Sequence, residues 1–422
     1  MANRWQPLPP VCASSRMRAA AADPPVRAHR RPATPVRIRP FRCRMLPMSR
    51  YRPSLLTALL LPVLACAAET THAREVAAPA AHVDADGPYV FRQGEQLQAK
   101  WICDDKVESR TLPATATGTD IATRCGYGHT VHVAAPNAPS ISVLPAVPRI
   151  VALSDIHGQY GLLVRLLRAN QVIDAQDRWA LGKDTLVIAG DVFDRGPQVT
   201  EAFWLLYSLQ QQAAAAGGAV HFVLGNHETM VLYDDLRYVN PKYLRSAQLL
   251  GRSYPQLYGA DSVIGQWLRT RPVLLKIGDT LFLHGGISPE AVELALEPAR
   301  TNAAYQASLG LPKAEVKADP ATAPLYDGKT SPIWYRGYFD GRLDTQGVQA
   351  VLDRLQLKRI VVGHTSMPHV SSFHGDRVIA IDSSIKNGEN GELLFIENGT
   401  LSRGLLDGSR VPLAQGEPGL QD

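Results

Sequence analysis

Five short polar clusters in this chain each follow an apolar run: "SDIHG" after "RIVAL", "GDVFDRG" after "DTLVIA", "GNHE" after "VHFVL", "HGG" after "DTLFL" and "GHT" after "RIVV". Among them they carry Asp155, His157, Asp191, Asn226, His284 and His364. Asp155, His157 and Asp191 offer two hard carboxylates and an imidazole, a donor set suited to Mn, Fe or Zn. Asn226, His284 and His364 offer an amide oxygen and two imidazoles for a second ion. A pair of divalent ions roughly 3.5–4 Å apart supplies hydroxide at neutral pH and clamps the oxygens of an in-line displacement. Taken alone, "SDIHG" reads more readily as a capped turn than as a metal site, since Asp and Gly are ordinary turn residues. The five clusters together favour the metal.

Each run that precedes these residues has strand length and is predominantly apolar, as strands buried on both faces are. Each delivers its polar cluster at its carboxyl end, where ligands bind in layered α/β folds. Unpartnered polar groups at buried strand ends are costly, so five such ends call for a common ligand. Stretches such as "LLVRLLRAN" and "VTEAFWLLYSLQQQAAAA" supply helices between the strands. Gly190, Gly196, Gly225 and Gly363 are expected to allow sharp turns where the strands end.

In their order, "SDIHG", "GDVFDRG", "GNHE", "HGG" and "GHT" resemble the motifs of the calcineurin-like metallophosphoesterases. Within these the chain is similar to the phosphoprotein phosphatases, and most to the branch called Shewanella-like phosphatases, over residues 149 to 400. The resemblance implies an α/β fold of two facing mixed β-sheets flanked by helices, with the site at one end of the sandwich. It implies Asp191 as the carboxylate shared by two divalent ions and His227 as the general acid, oriented by Asp194. It also implies Arg195 and Arg336 as the phosphate-binding guanidinium groups. Other roles stay open for these residues: Asp194 and Arg195 paired only with each other, and Arg336 a surface residue beside aromatics. Glu228 reads as a structural ion pair or cap, and Asp382 as a residue that orients a ligand. His369 and His374 read as loop or rim residues. The segment "VLYDDLRYVNPKYLRSAQLLG" reads as helical cap material over the site.

The 422 residues are 45% hydrophobic and 20% charged, enough for one large domain with appendages. The net charge of +5 comes from residues 1 to 44, which hold ten Arg and one Asp. That tail lacks periodicity and interleaved aromatics, and nucleic-acid binding is not expected. From Met45 or Met48 a basic stretch, the apolar "LLTALLLPVLA" and small residues read as an export signal, with cleavage after Ala67 or Ala73. The apolar run is shorter than the ~20 residues of a membrane span. Residues 1 to 44 then read as an over-extended or disordered leader and residues 45 to 74 as the signal. "VLAC" resembles a lipobox, so membrane attachment is expected only if Cys66 is lipidated. Export leaves Cys103 and Cys125 free to form a disulfide in an oxidising compartment. Residues 75 to 148 read as a small β-rich region and a proline-rich linker, with His129 and His132 on strand faces rather than as ligands. The phosphoesterase domain is expected over 149–410.

Together these features predict an exported, periplasmic or secreted metallophosphatase that hydrolyses phosphomonoesters on phosphorylated protein or peptide. A nucleotide or dinucleoside polyphosphate hydrolase is the second reading. The third, a non-catalytic metal-binding module, predicts loss of a ligand or of His227, and the chain keeps all of them.

Overall fold

The five apolar runs form the strands Arg149–Leu153, Thr185–Ile188, Ala219–Phe222, Thr280–Leu283 and Arg359–Val362 in the computed structural model. The structure describes residues 82–136 and 141–417. The leader, the apolar export segment, Cys12, Cys43 and Cys66 lie outside the described residues.

The first three strands run parallel in a six-stranded sheet, and Leu393–Glu397, Thr400–Gly404 and Arg410–Val411 complete it on the far side of Arg149–Leu153. The other two lie parallel at the centre of a seven-stranded sheet. Alternation along each strand divides its side chains between two cores. Ile150, Ala152 and Val187 from one sheet pack with Phe282, Val361 and Ile379 from the other. Val151, Leu153, Leu186 and Ile188 point the opposite way, into a core shared with the helices Tyr160–Ala169 and Val199–Ala215. This is a two-sheet sandwich flanked by helices. Each fully buried aliphatic side chain contributes about 1.5–3 kcal/mol, so the apolar runs hold both layers in register.

An antiparallel sheet of Ala85–Gln93, Gln96–Cys103 and Lys106–Pro113 precedes the sandwich, followed by the pair Thr119–Ile121 and Val131–Val133. Cys103 and Cys125 are joined by a disulfide, with their Cα atoms 5.8 Å apart. Phe91 and Trp101 are fully buried in the same core as the flanking helices. Polar ties reinforce that packing: Trp204 Nε1 donates to the Pro88 carbonyl at 2.7 Å and Arg92 Nε to Gln266 Oε1 at 2.9 Å. Asp86, completely buried, accepts from Tyr89 Oη and Ser246 Oγ. The small sheet therefore shares the main core. Part of the proline-rich stretch expected to be a linker forms strand Val143–Leu144, parallel to Leu275–Ile277 at the edge of the larger sheet.

Candidate active site

Hydrogen bonding between Arg149–Leu153 and Thr185–Ile188 continues past the strand ends into the loops. Ala189 N–H donates to Leu153, Asp155 to Gly190, His157 to Asp191 and Gly158 to Val192, all between 2.9 and 3.0 Å. This zipper brings Asp155 and His157 beside Asp191. It holds them in an uncommon backbone region: φ is 55° at Asp155, 47° at His157, 59° at Asp191, 75° at Asp194, 65° at Arg195 and 65° at His364. Left-handed backbone at non-glycine residues costs energy and concentrates at functional sites. Glycine is needed where backbones close in. Gly190 has φ +87°, and a Cβ on Gly225 would lie 2.1 Å from Asp191 Oδ1.

Glu228 secures the turn that carries Asp191. Its buried carboxylate accepts from the backbone N–H groups of Asp191 (2.9 Å), Val192 (2.8 Å) and Gly225 (2.7 Å). It also starts the helix Asn226–Leu232, so Asn226 and His227 project from a fixed first turn. His227 N–H donates to Asp191 Oδ1 at 2.9 Å. From the second sheet, Leu283 and Val362 deliver His284 and His364, and His364 N–H donates to Asp155 Oδ2 at 2.9 Å.

The donors converge in two triads that share Asp191: His157, Asp191 and His227, and Asp191, His284 and His364. Asp155 Oδ1 stands 3.8 Å from His157 Nε2, beside the first triad, and Asn226 Oδ1 lies 2.9 Å from His284 Nε2, beside the second. His157 and His284 each donate Nδ1–H to a carbonyl, of Phe193 and Ala189, at 2.7 Å. Each therefore presents Nε2 to the centre, the second-sphere arrangement of metal-binding histidines. His364 Nε2 is buried without any hydrogen-bond partner.

Burial pushes His157 down to about 3, although Asp191 pulls the other way. Burial, with the Arg336 charge, holds His364 well below the ordinary range. Both rings are neutral at pH 7, the ligand form. Burial works against the His284 imidazolium, but the Asp191 and Asp155 carboxylates raise it to about 9. Burial likewise opposes ionised Asp191, which His284, His227 and His157 nevertheless keep well below the usual carboxylate range. Asp155 is raised by burial and by the charge of Asp382. Buried carboxylates this close to one another require cationic partners. The orphaned His364 nitrogen, the neutral His157 and His364 rings and the excess of acid all fit divalent metal.

His227 Nδ1 lies 2.5 Å from Asp194 Oδ2. Its ring stacks edge-on against His157, centroids 4.6 Å apart, and faces Tyr238 at 5.3 Å. Arg336 donates to the His364 carbonyl (2.6 Å) and Thr365 Oγ1 (3.1 Å), and Arg195 lies over the Tyr238 ring. Arg195 and Arg336 both line the cleft, of about 140 Å³, together with Asp155, His157, Asp191, Asn226, His227 and His364. Four further lining residues, Tyr238, Trp334, Ser366 and Lys386, escaped sequence reasoning, as none belongs to a strand-end cluster. Signals existed for Tyr238, which lies in the expected cap segment, and for Trp334, two residues before Arg336 in "IWYRGYF".

Other expectations shift. Asp382 lines the cleft but takes its hydrogen bonds from Ser366 Oγ (2.5 Å) and Ser384 N–H (3.0 Å) rather than from a ligand imidazole. His374 is a loop residue, in the turn after strand Ser371–Phe373, but it is buried, with its Nε2 2.9 Å from the Tyr338 carbonyl, rather than on the rim. His369, exposed, pairs with Glu392. His129 lies in the loop before strand Val131–Val133 rather than on a strand face and pairs with Asp177, whereas His132 is on that strand and pairs with Asp120. Of the expected cap, Tyr238 lines the cleft, whereas helix Pro241–Leu250 packs on the small N-terminal sheet.

Comparison with known proteins gives a consistent picture. The family described as calcineurin-like phosphoesterase matches residues 148–381. Shewanella-like protein phosphatase 2 of Arabidopsis thaliana is 27% identical over 289 residues, covering 57% of this chain and 72% of that protein. The crystal structure of a cold-active protein-tyrosine phosphatase of a psychrophile, Shewanella sp., superposes with a TM-score of 0.75 at 41% identity. It covers 78% of this chain and 100% of its own. A symmetrical bis(5'-nucleosyl)-tetraphosphatase of Hamiltonella defensa subsp. Acyrthosiphon pisum (strain 5AT) is 32% identical over 143 residues, 33% of this chain and 44% of that protein.

Proposed function

Since the chain belongs to the calcineurin-like phosphoesterases and is a metal-dependent phosphoesterase, we propose that it hydrolyses phosphomonoesters on phosphorylated proteins or peptides. The observation that carries this reading is Asp191: it belongs to both donor triads, in a cleft that Arg195 and Arg336 also line. Asp155, His157 and Asp191 would hold one divalent ion and Asn226, His284 and His364 a second, with Asp191 common to both. Bound there, Mn, Fe or Zn would supply Lewis-acid charge and a nucleophile at neutral pH.

The chain's own residues do the remaining work. Arg195 and Arg336 grip the phosphoryl oxygens, through guanidinium forks that match their geometry. His227 hands the proton on Nε2 to the leaving oxygen, while Asp194 accepts from Nδ1 and fixes the ring's tautomer. Buried among His157, Asp194 and Tyr238, the His227 imidazole has little freedom to turn away.

Similarity to a dinucleoside tetraphosphatase over one third of the chain supports a second reading, hydrolysis of nucleotide anhydrides. A substrate panel decides. Protein purified without added ions is analysed for metal, then assayed on phosphoserine and phosphotyrosine peptides and diadenosine tetraphosphate. Faster cleavage of a phosphopeptide supports the first reading, and much faster cleavage of the tetraphosphate overturns it. Export belongs to the same proposal: the disulfide between Cys103 and Cys125 suits an oxidising compartment. N-terminal sequencing from the native host should begin after the apolar segment, and intact residues 1 to 44 in the cytoplasm would contradict export.

A further inference from the structure

Three cations line the catalytic cleft, Arg195, Arg336 and Lys386. Among the described residues, none of them has a carboxylate oxygen within 4.0 Å. Two are assigned to the phosphoryl group. Lys386 is left over, and its placement is deliberate in the physical sense that the backbone around it is pinned. It sits on the turn Ile385–Asn387, between left-handed residues Ser384 (φ 63°) and Gly388 (φ 77°). Its carbonyl accepts from Gln159 Nε2 at 3.0 Å, and Ser384 Oγ donates to the Met367 carbonyl at 2.9 Å. Lys386 Nζ donates to Ser366 Oγ, which donates in turn to Asp382. That uses one of three ammonium donors.

Lys386, Arg336 and Ser366 are also the residues this cleft shares with an adjoining groove of about 860 Å³. The groove is larger than a small ester requires, and Met367, Pro368 and Phe373 give it an apolar wall. Glu389 and Glu417 line it too, so its positive charge near the cleft comes from the shared residues.

Building on the phosphopeptide reading, we propose that this groove receives the polypeptide flanking the phosphorylated residue. Lys386 pairs there with an Asp or Glu carboxylate next to the phosphoryl group, making the enzyme selective for acidic phosphopeptides. A compact, flexible ammonium suits a carboxylate on a mobile flanking residue, whereas the planar forks of Arg195 and Arg336 suit phosphoryl oxygens. Charges at the edge of an interface set specificity more than total affinity. A pair of this exposure yields up to about fivefold discrimination.

The test uses metal-loaded protein and peptide pairs that differ only by Glu or Gln beside the phosphoresidue, one pair for each side, with nitrophenyl phosphate in parallel. The wild-type kcat/KM ratio should favour Glu by about fivefold on one side, and this preference should shrink as salt is added. Lys386→Gln should bring that ratio to about one, and Lys386→Glu should invert it. A wild-type ratio of one on both sides overturns the proposal. So does a ratio unchanged by Lys386→Glu, or a loss equal on every substrate, which would make Lys386 a counter-ion for Asp382 or a phosphoryl contact. If nitrophenyl phosphate is cleaved and no phosphopeptide is, the phosphopeptide reading fails by itself. The same peptides then serve as competitive inhibitors, and their Glu-to-Gln ratio of inhibition constants reports on Lys386 directly.

Discussion

Replacing His227 by Asn separates proton delivery from metal binding, because the structure divides the residue's contacts between backbone and ring. The backbone N–H that donates to Asp191 Oδ1 at 2.9 Å survives the substitution, and so does the first turn held by Glu228. The imidazole is lost, with its Nδ1 contact to Asp194 and the Nε2 that stands 3.8 Å from Asp191 Oδ2. Asp191 therefore keeps its anchor while the leaving oxygen loses its donor. General acid catalysis is typically worth about 10²–10⁴ in rate, or roughly 2.7–5.4 kcal/mol of barrier. A serine alkoxide needs that proton, whereas nitrophenolate departs readily without it. Metal content and kcat/KM should be measured for the variant on a phosphoserine peptide and on nitrophenyl phosphate. We expect metal retained, the serine ester slowed about 10³-fold, and the aryl ester slowed about tenfold or less. Equal losses on the two esters, with metal retained, would remove His227 from the leaving-group role. Loss of metal would instead make His227 a ligand, since its Nε2 belongs to the first donor triad.

Other perturbations test the surrounding framework. Asp191→Asn keeps the shape of the shared ligand but removes its charge, so elemental analysis should show reduced metal at both positions; full occupancy would refute the shared carboxylate. Glu228→Gln turns an amide NH₂ toward backbone N–H groups now held at 2.7–2.9 Å. At about 1–3 kcal/mol per unsatisfied donor, the variant should lose ~2–4 kcal/mol in urea unfolding. Burial raises Glu201 from 4.5 to about 7, against the opposing charge of Lys242, 3.7 Å away. The folded protein thus holds this proton more tightly than the unfolded chain. The resulting stabilisation is complete below about pH 4.5 and is lost as pH rises through 7, a swing of about 3 kcal/mol. Glu201→Gln should flatten the stability profile across that window, and an unchanged profile would show that Glu201 does not cause it. Cys103→Ser opens a loop of sequence separation 22 and should cost ~3 kcal/mol in non-reducing unfolding; no change would mean the bond adds nothing.

Residue type and local spacing were enough to read the strands and the donors. Each of the five runs has strand length and two apolar faces, and each ends in residues that only a shared ligand could justify, so Asp155, His157, Asp191, Asn226, His284 and His364 stood out before any fold was known. The helices Tyr160–Ala169 and Val199–Ala215 were legible for the same reason. Patterns of this kind do not reveal which distant segments close on one another. Strands of the small N-terminal region could be anticipated, but its burial in the main core depends on Trp204, Gln266 and Ser246, which lie far along the chain. Glu228 read as a cap, yet its grip on the Asp191 loop spans 37 residues, and the bond from His364 N–H to Asp155 spans 209. The left-handed backbone at six site residues, the neutral state of His157 and His364, and the arrival of Lys386 beside Arg336 likewise emerge only from packing. Local covalent geometry and apolar periodicity act over a few residues and are written in the sequence. Burial, charge compensation and the direction of a lone pair depend on distances through space, which the tertiary fold alone sets.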